Sequence, residues 1–229
     1  MQRNPTKPAN LDPIAADILE ELHRAPEAKH FVLGGYFALS HYLDYRRTHD
    51  IDAWWDEGGR TESAVQAARD ALATVAKRRG LDLQERERGD VLYFVLQDPA
   101  SHQSVFSFQV AERTRQLAQP LASPYPPIMI EAFDDNVASK MTALVSRGAP
   151  RDLRDIHVIV TSGLSTVSEA WQLWQKKNPD KSLTAAKAEV MRSLDALEAR
   201  RPLRSLPEKE AEEAARVREW YRSEFAVVK

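Results

Sequence analysis

The chain has 229 residues, 43% hydrophobic and 29% charged, with a net charge of −2. These values describe an ordinary globular composition, large enough for one sizeable core or two small ones. The absence of cysteine excludes a disulfide framework, a thiolate metal site and a cysteine nucleophile, and the near-neutral charge leaves contact with nucleic acid or anionic membrane to local patches. No apolar run approaches the roughly 20 residues needed to cross a bilayer, and MQRNPTKPAN is polar. A cytoplasmic protein with no membrane partner is the expectation.

Residues 1–10 read as a mobile arm. Asp12-Pro13 suits a helix start, an N-cap followed by proline in the first turn, with Ile14, Ile18 and Leu22 on one face. HFVLGG then reads as a short buried strand closed by glycines, YFALSHYLDY as a helix, and THDIDAWW as a second strand with period-two alternation. Thr61 is placed to cap an amphipathic helix through Arg79. Three strand-like runs follow, LDLQERE, VLYFVLQ and SVFSFQV, the first two joined by a turn at Arg88-Gly89-Asp90. QPLASPYPP is a loop or crossing connection to a last short strand, IMIEAF. From Asp134 onward successive capped, amphipathic segments read as helices, with RRPLRSLP as the hinge before the final one. The fold class is therefore α+β: a mixed β-sheet flanked by helices over residues 11–132, then a helical region over 133–229.

Two stretches carry chemistry. Gly34 and Gly35 end a strand and open a helix, where bare backbone admits a phosphate to N–H groups; alone, such a pair is most often only a turn. Asp50 and Asp52, two apart in a strand, project to one face. Like charges held so close repel unless a cation lies between them, and oxygen ligands in that arrangement suit Mg²⁺ or Mn²⁺. A solvated edge strand is the bland alternative, which the apolar Ile51 and the Ala53-Trp54-Trp55 run oppose, the two tryptophans reading as anchors of the strand in the core. Further on, Lys140 and Arg147 lie two helical turns apart, followed by Arg151, Asp152 and Asp155 at the next helix start. Singly these read as solvent-facing groups, or as an i,i+3 and i,i+4 pair network worth about 0.2–0.5 kcal/mol per pair.

Together, the block from Gly34-Gly35 through Arg46, Thr48, Asp50 and Asp52, and the later block of Lys140, Arg147, Arg151, Asp152 and Asp155, resemble the AbiEii/AbiGii-type nucleotidyltransferase toxins of the polymerase-β-like superfamily. The resemblance covers roughly residues 28–163 and implies a nucleotidyltransferase-like core with a helical C-terminal region. It further implies Asp50 and Asp52 as Mg²⁺ (or Mn²⁺) ligands and a nucleoside triphosphate as substrate. Gly34, Gly35 and Tyr36, with Arg46, Lys140 and Arg147, are implied to bind the phosphates, and Asp155 to orient Lys140 or act as base. The acceptor implied is RNA, such as a tRNA 3′ end, or a protein side chain, and an antitoxin is the implied partner. Arg192, Arg200, Arg201 and Arg204 offer a basic strip for RNA, although arginines interspersed with acids are more often simply solvated.

Two positions depart from the family pattern. Tyr36 stands where a Ser or Thr follows the glycines, and the third carboxylate of many superfamily members falls here on Ser107 or Gln109, with Glu112 just past the strand. A nucleotide- or protein-binding module without turnover, and a small-molecule nucleotidyltransferase, are the alternative readings.

Overall fold

The computed structural model describes residues 3–113 and 115–225. The chain divides into two compact units, residues 1–136 and 137–229, a few residues beyond the 132/133 division expected from the sequence.

In the first unit the elements are α1 (Pro13–His23), β1 (Phe31–Leu33), α2 (Gly35–Ser40), β2 (Asp50–Trp55), α3 (Glu62–Arg79), β3 (Asp82–Arg88), β4 (Val91–Gln97), β5 (Ser104–Ala111), β6 (Leu121–Ala122) and β7 (Met129–Ile130). The helix starts follow from local chemistry. The Asp12 carboxylate accepts the Ile14 N–H at 2.7 Å, and the Thr61 hydroxyl accepts that of Ala64 at 3.2 Å, each satisfying an orphan donor of the first turn. Gly80, at φ +63°, closes α3 in the left-handed conformation that glycine adopts without strain. Of the segment read as a mobile arm, Met1 and Gln2 lie outside the described residues. The rest is tied down by Thr6 N–H to His41 O at 2.8 Å and Asn10 N–H to the Asp44 carboxylate at 2.9 Å.

The seven strands of the described residues form one sheet in the order β3-β4-β5-β2-β1-β7-β6. β2 sits inside it, parallel to β5 and antiparallel to β1. Its side chains alternate: Ile51, Ala53 and Trp55 are buried, whereas Asp50, Asp52 and Trp54 are half-buried on the opposite face. Both tryptophans were expected to anchor the strand in the core; only Trp55 does, because the strand period sends Trp54 to the face of the acids. α1 and α3 cover the core face through Ile18, Leu19, Leu22, Leu72 and Val75, packed with Phe31, Phe94 and Phe108 of the sheet.

Two elements differ from the expectation. α2 has only six residues, because the chain beyond it is drawn into tertiary bonds: Tyr42 Oη donates to Glu131 O at 2.7 Å, and the Arg46 N–H donates to Tyr36 Oη at 2.8 Å. The proline-rich connection contributes the short β6, which pairs antiparallel with β7.

Beside α2, His41 is 1% exposed and bonds Phe37 O through Nδ1 at 2.8 Å. Burial pushes its pKa down to about 4, so the ring stays neutral in the fold while the unfolded chain takes up a proton near pH 6.5. Stability is therefore full above pH 6.5 and is lost as pH falls towards 4, by about 2 kcal/mol at pH 5 from this group. Urea unfolding at pH 7 and pH 5 is expected to show that loss in the wild type and its removal in His41→Leu; equal losses in both contradict it.

The second unit is built from α4 (Phe133–Arg147, whose first turn belongs to the first unit), α5 (Pro150–Thr161), α6 (Val167–Lys177), α7 (Leu183–Arg200) and α8 (Glu208–Trp220), the last running into a π turn over Tyr221–Phe225. Its core gathers aromatic rings. Phe225 stacks within 5.2 Å of Trp171 and 5.0 Å of Trp220, and Trp171 Nε1 donates to Phe225 O at 3.0 Å. Tyr221 Oη donates to Leu153 O at 2.9 Å, fixing the π turn to α5. The segment read as a hinge is a 3₁₀ turn, Leu203–Ser205. Among the described residues no helix is long and apolar enough to cross a membrane.

Candidate active site

The first half of the site is the face of β2 opposite the buried Ile51, Ala53 and Trp55. Asp50 and Asp52 lie there together, as period two requires. Each has one carboxylate oxygen engaged by a neutral donor: the Thr48 hydroxyl donates to Asp50 Oδ1, and the Gln109 carboxamide to Asp52 Oδ1. The parallel register of β2 with β5 sets Ser107 opposite Asp50 and Gln109 opposite Asp52. The position where a third acid was sought is thus held by an amide that binds the second. Glu112 lies past the end of β5 and is exposed. Among the described residues no group of three or more His, Cys, Asp or Glu is arranged to hold a metal ion.

The glycine turn presses against this face. The Gly34 N–H donates to Asp52 O at 2.8 Å, prolonging the β1–β2 ladder, so this group does not face outward as the sequence suggested. Gly35 has φ +58°, and a Cβ on it would stand 1.9 Å from Asp52 Oδ2; one on Gly34 would stand 2.3 Å from Trp54 Nε1. Only glycine permits both approaches. The first N–H to close onto the turn from within α2 is that of Ala38, which bonds Gly34 O at 2.8 Å.

Tyr36 is 3% exposed and its phenol serves the fold. Its Oη donates to Arg46 O at 2.7 Å and accepts the Arg46 N–H at 2.8 Å and the Tyr45 N–H at 3.3 Å. The Arg46 guanidinium lies 3.5 Å from the centre of the Tyr36 ring, a cation–π stack. Burial raises the phenol pKa above its ordinary value. The tyrosine that departs from the expected Ser or Thr is therefore a clasp for the segment leading into β2. Tyr36→Phe keeps the ring and removes three hydrogen bonds, a loss of about 1–3 kcal/mol. Hydrogen exchange at the Arg46 amide is expected to speed up by about tenfold or more; an unchanged rate rejects the clasp.

A group the sequence reading missed stands behind the turn. Asn136, fully buried, donates through Nδ2 to Gly35 O at 2.9 Å and to Glu131 Oε2 at 2.8 Å. Arg113 pairs with Asp135 and reaches Glu131 at 3.4 Å. Glu131 is the lone acid in the otherwise apolar run IMIEAF, and that was the available signal, since a buried carboxylate needs partners.

The second half of the expected site is a pair of ion pairs in the helical unit. Lys140 on α4 donates to Asp155 Oδ2 on α5 at 2.7 Å; the lysine is 7% exposed and the aspartate fully buried. Arg147 holds the buried Asp152 with two bonds, 2.7 and 2.9 Å, the forked geometry that strengthens such pairs. The short-range network expected within RDLRD gives way to these inter-helix pairs, and Arg154 instead meets Glu213 of α8 at 2.6 Å. Arg151 is exposed. Of the basic strip, Arg192 pairs with Glu189 and Arg201 lies 3.9 Å from Glu210, while Arg222 from α8's continuation binds Asp195 and Glu198 of α7. α7 therefore presents mixed charge.

One family model matches the chain, over residues 17–225, and is described as "Nucleotidyl transferase AbiEii toxin, Type IV TA system". No curated protein matches.

Proposed function

The chain belongs to the AbiEii nucleotidyl transferase toxin family of type IV toxin–antitoxin systems, and from this we infer that it moves a nucleoside monophosphate from a nucleoside triphosphate to an acceptor hydroxyl. The observation that carries the reading is the contact of Gly35 with Asp52: backbone stripped of its Cβ lies against one of two carboxylates on a single strand face. Such a cradle suits phosphates bound next to a hard divalent cation. Mg²⁺ or Mn²⁺ fits this donor set, because Mg²⁺ is commonly held by one or two carboxylates together with substrate phosphates. Asp50 and Asp52 would hold it, and when bound it would neutralise developing charge on the transferred phosphoryl group.

The protein's own groups then act by position and charge. Thr48 and Gln109 fix one oxygen of each carboxylate. Backbone N–H groups of Gly35 and Tyr36 receive the triphosphate, and Arg46, clasped by Tyr36, supplies positive charge beside them. By the sequence resemblance Lys140, oriented by Asp155, neutralises phosphate charge, with Arg147 assisting. The acceptor proposed is RNA, such as a tRNA 3′ end, or a protein side chain; the family description supports an antitoxin as partner, and the cytoplasm is the proposed site of action. Gln109 in place of a third acid supports a second reading, a module that binds nucleotide without turnover. Calorimetry with Mg²⁺ and each NTP, run beside a pyrophosphate assay, separates the two. Binding with pyrophosphate release supports transfer; binding without release on any acceptor supports the module.

A further inference from the structure

The helical unit contains a pocket of about 270 Å³ between α5, α7 and α8, walled by Leu153, Leu197, Leu206 and Val217. Arg218 of α8 lines it and is 6% exposed. Its Nη2 donates to Arg201 O at 2.8 Å, and its buried Nε has no hydrogen-bond partner. Among the described residues no carboxylate pairs with it. The two glutamates of the pocket are already engaged: Glu213 with Arg154 at 2.6 Å and Glu210 with Arg201 at 3.9 Å. A guanidinium taken out of water without a counter-ion is costly, and buried charges are ordinarily paired.

We propose that this pocket binds a small organic monoanion, a carboxylate with an apolar body, whose charge is met by Arg218. Three arginines against two glutamates leave one positive charge in the lining, which one carboxylate balances. A phosphate dianion would bring a second charge against Glu210 and Glu213. The planar fork of arginine matches a carboxylate, the leucines and the valine receive the tail, and the volume lies just below the range usual for drug-sized ligands. The occupant braces α5, the helix that also carries Asp152 and Asp155.

The test uses the full chain and octanoate as probe, followed by titration calorimetry, with octan-1-ol as the uncharged control. Saturable octanoate binding is expected, stronger than octanol binding. Arg218→Leu replaces a lone buried charge with an apolar group and is expected to weaken octanoate by about tenfold or more, ~1.4 kcal/mol. Ala214→Phe, which leaves Arg218 in place and fills the pocket, is expected to abolish binding, and it decides the matter if Arg218→Leu does not fold. Absence of saturable octanoate binding to the wild type, or equal affinity in the wild type and a folded Arg218→Leu or Ala214→Phe, overturns the proposal. Because the readout is binding, the result is independent of whether nucleotide transfer is observed.

Discussion

Gly35→Ala is expected to reduce nucleotide transfer by about 100-fold or more while leaving a folded, weakened protein. Two penalties combine. An L-residue at φ +58° carries the left-handed cost, about 1–2 kcal/mol, and the new methyl would stand 1.9 Å from Asp52 Oδ2 and 2.7 Å from Asp52 Cβ. The second contact is with an atom fixed by a central strand, so the carboxylate must move, at a further cost of about 1–3 kcal/mol. Displacing a catalytic group by about an ångström is enough for the expected rate loss. Gly58→Ala is the control. Its φ is +69°, yet a Cβ there meets nothing within 4 Å, so it is expected to show the backbone cost alone and near-normal transfer. Equal effects of the two substitutions on transfer would show that the approach of Gly35 to Asp52 has no part in the chemistry.

The second large effect lies in the helical unit. Asp155→Ala removes the carboxylate 2.7 Å from the ammonium of Lys140, which is only 7% exposed. Breaking a buried pair from one side costs about 3–5 kcal/mol, whereas replacing both partners with apolar groups is often close to neutral. Urea unfolding is therefore expected to show a severe loss for Asp155→Ala and substantial recovery when Lys140→Met and Asp155→Leu are combined. The recovered double variant is expected to stay inactive if Lys140 meets phosphate. A stable and active double variant would assign the pair to stability alone.

Much of this was legible because it rests on short-range rules. Asp12 and Thr61 announced their helices through cap chemistry, and the period of a strand placed Asp50 and Asp52 on one face. The same alternation already assigned Trp54 to the acids' side, although both tryptophans had been read as core. The sequence narrowed the missing acid to Ser107 or Gln109; choosing Gln109 as the partner of Asp52 required the register of β2 against β5. Other features depend on residues far apart in the chain. The Asn136 bond to Gly35 spans 101 positions, and that of Tyr42 to Glu131 spans 89. Local propensity favours a longer helix after Gly35, whereas the Tyr42–Glu131 bond and the Tyr36 clasp draw the chain away after Ser40.

The central claim is that Asp50 and Asp52 face the phosphates of a nucleoside triphosphate. It is tested most directly by incubating the protein with α-labelled NTPs, Mg²⁺ and total cellular RNA and protein, beside Asp50→Ala and Lys140→Ala. The expected result is Mg²⁺-dependent label on an RNA or protein acceptor with the wild type and its loss in Asp50→Ala. Equal labelling by the wild type and Asp50→Ala would contradict the account.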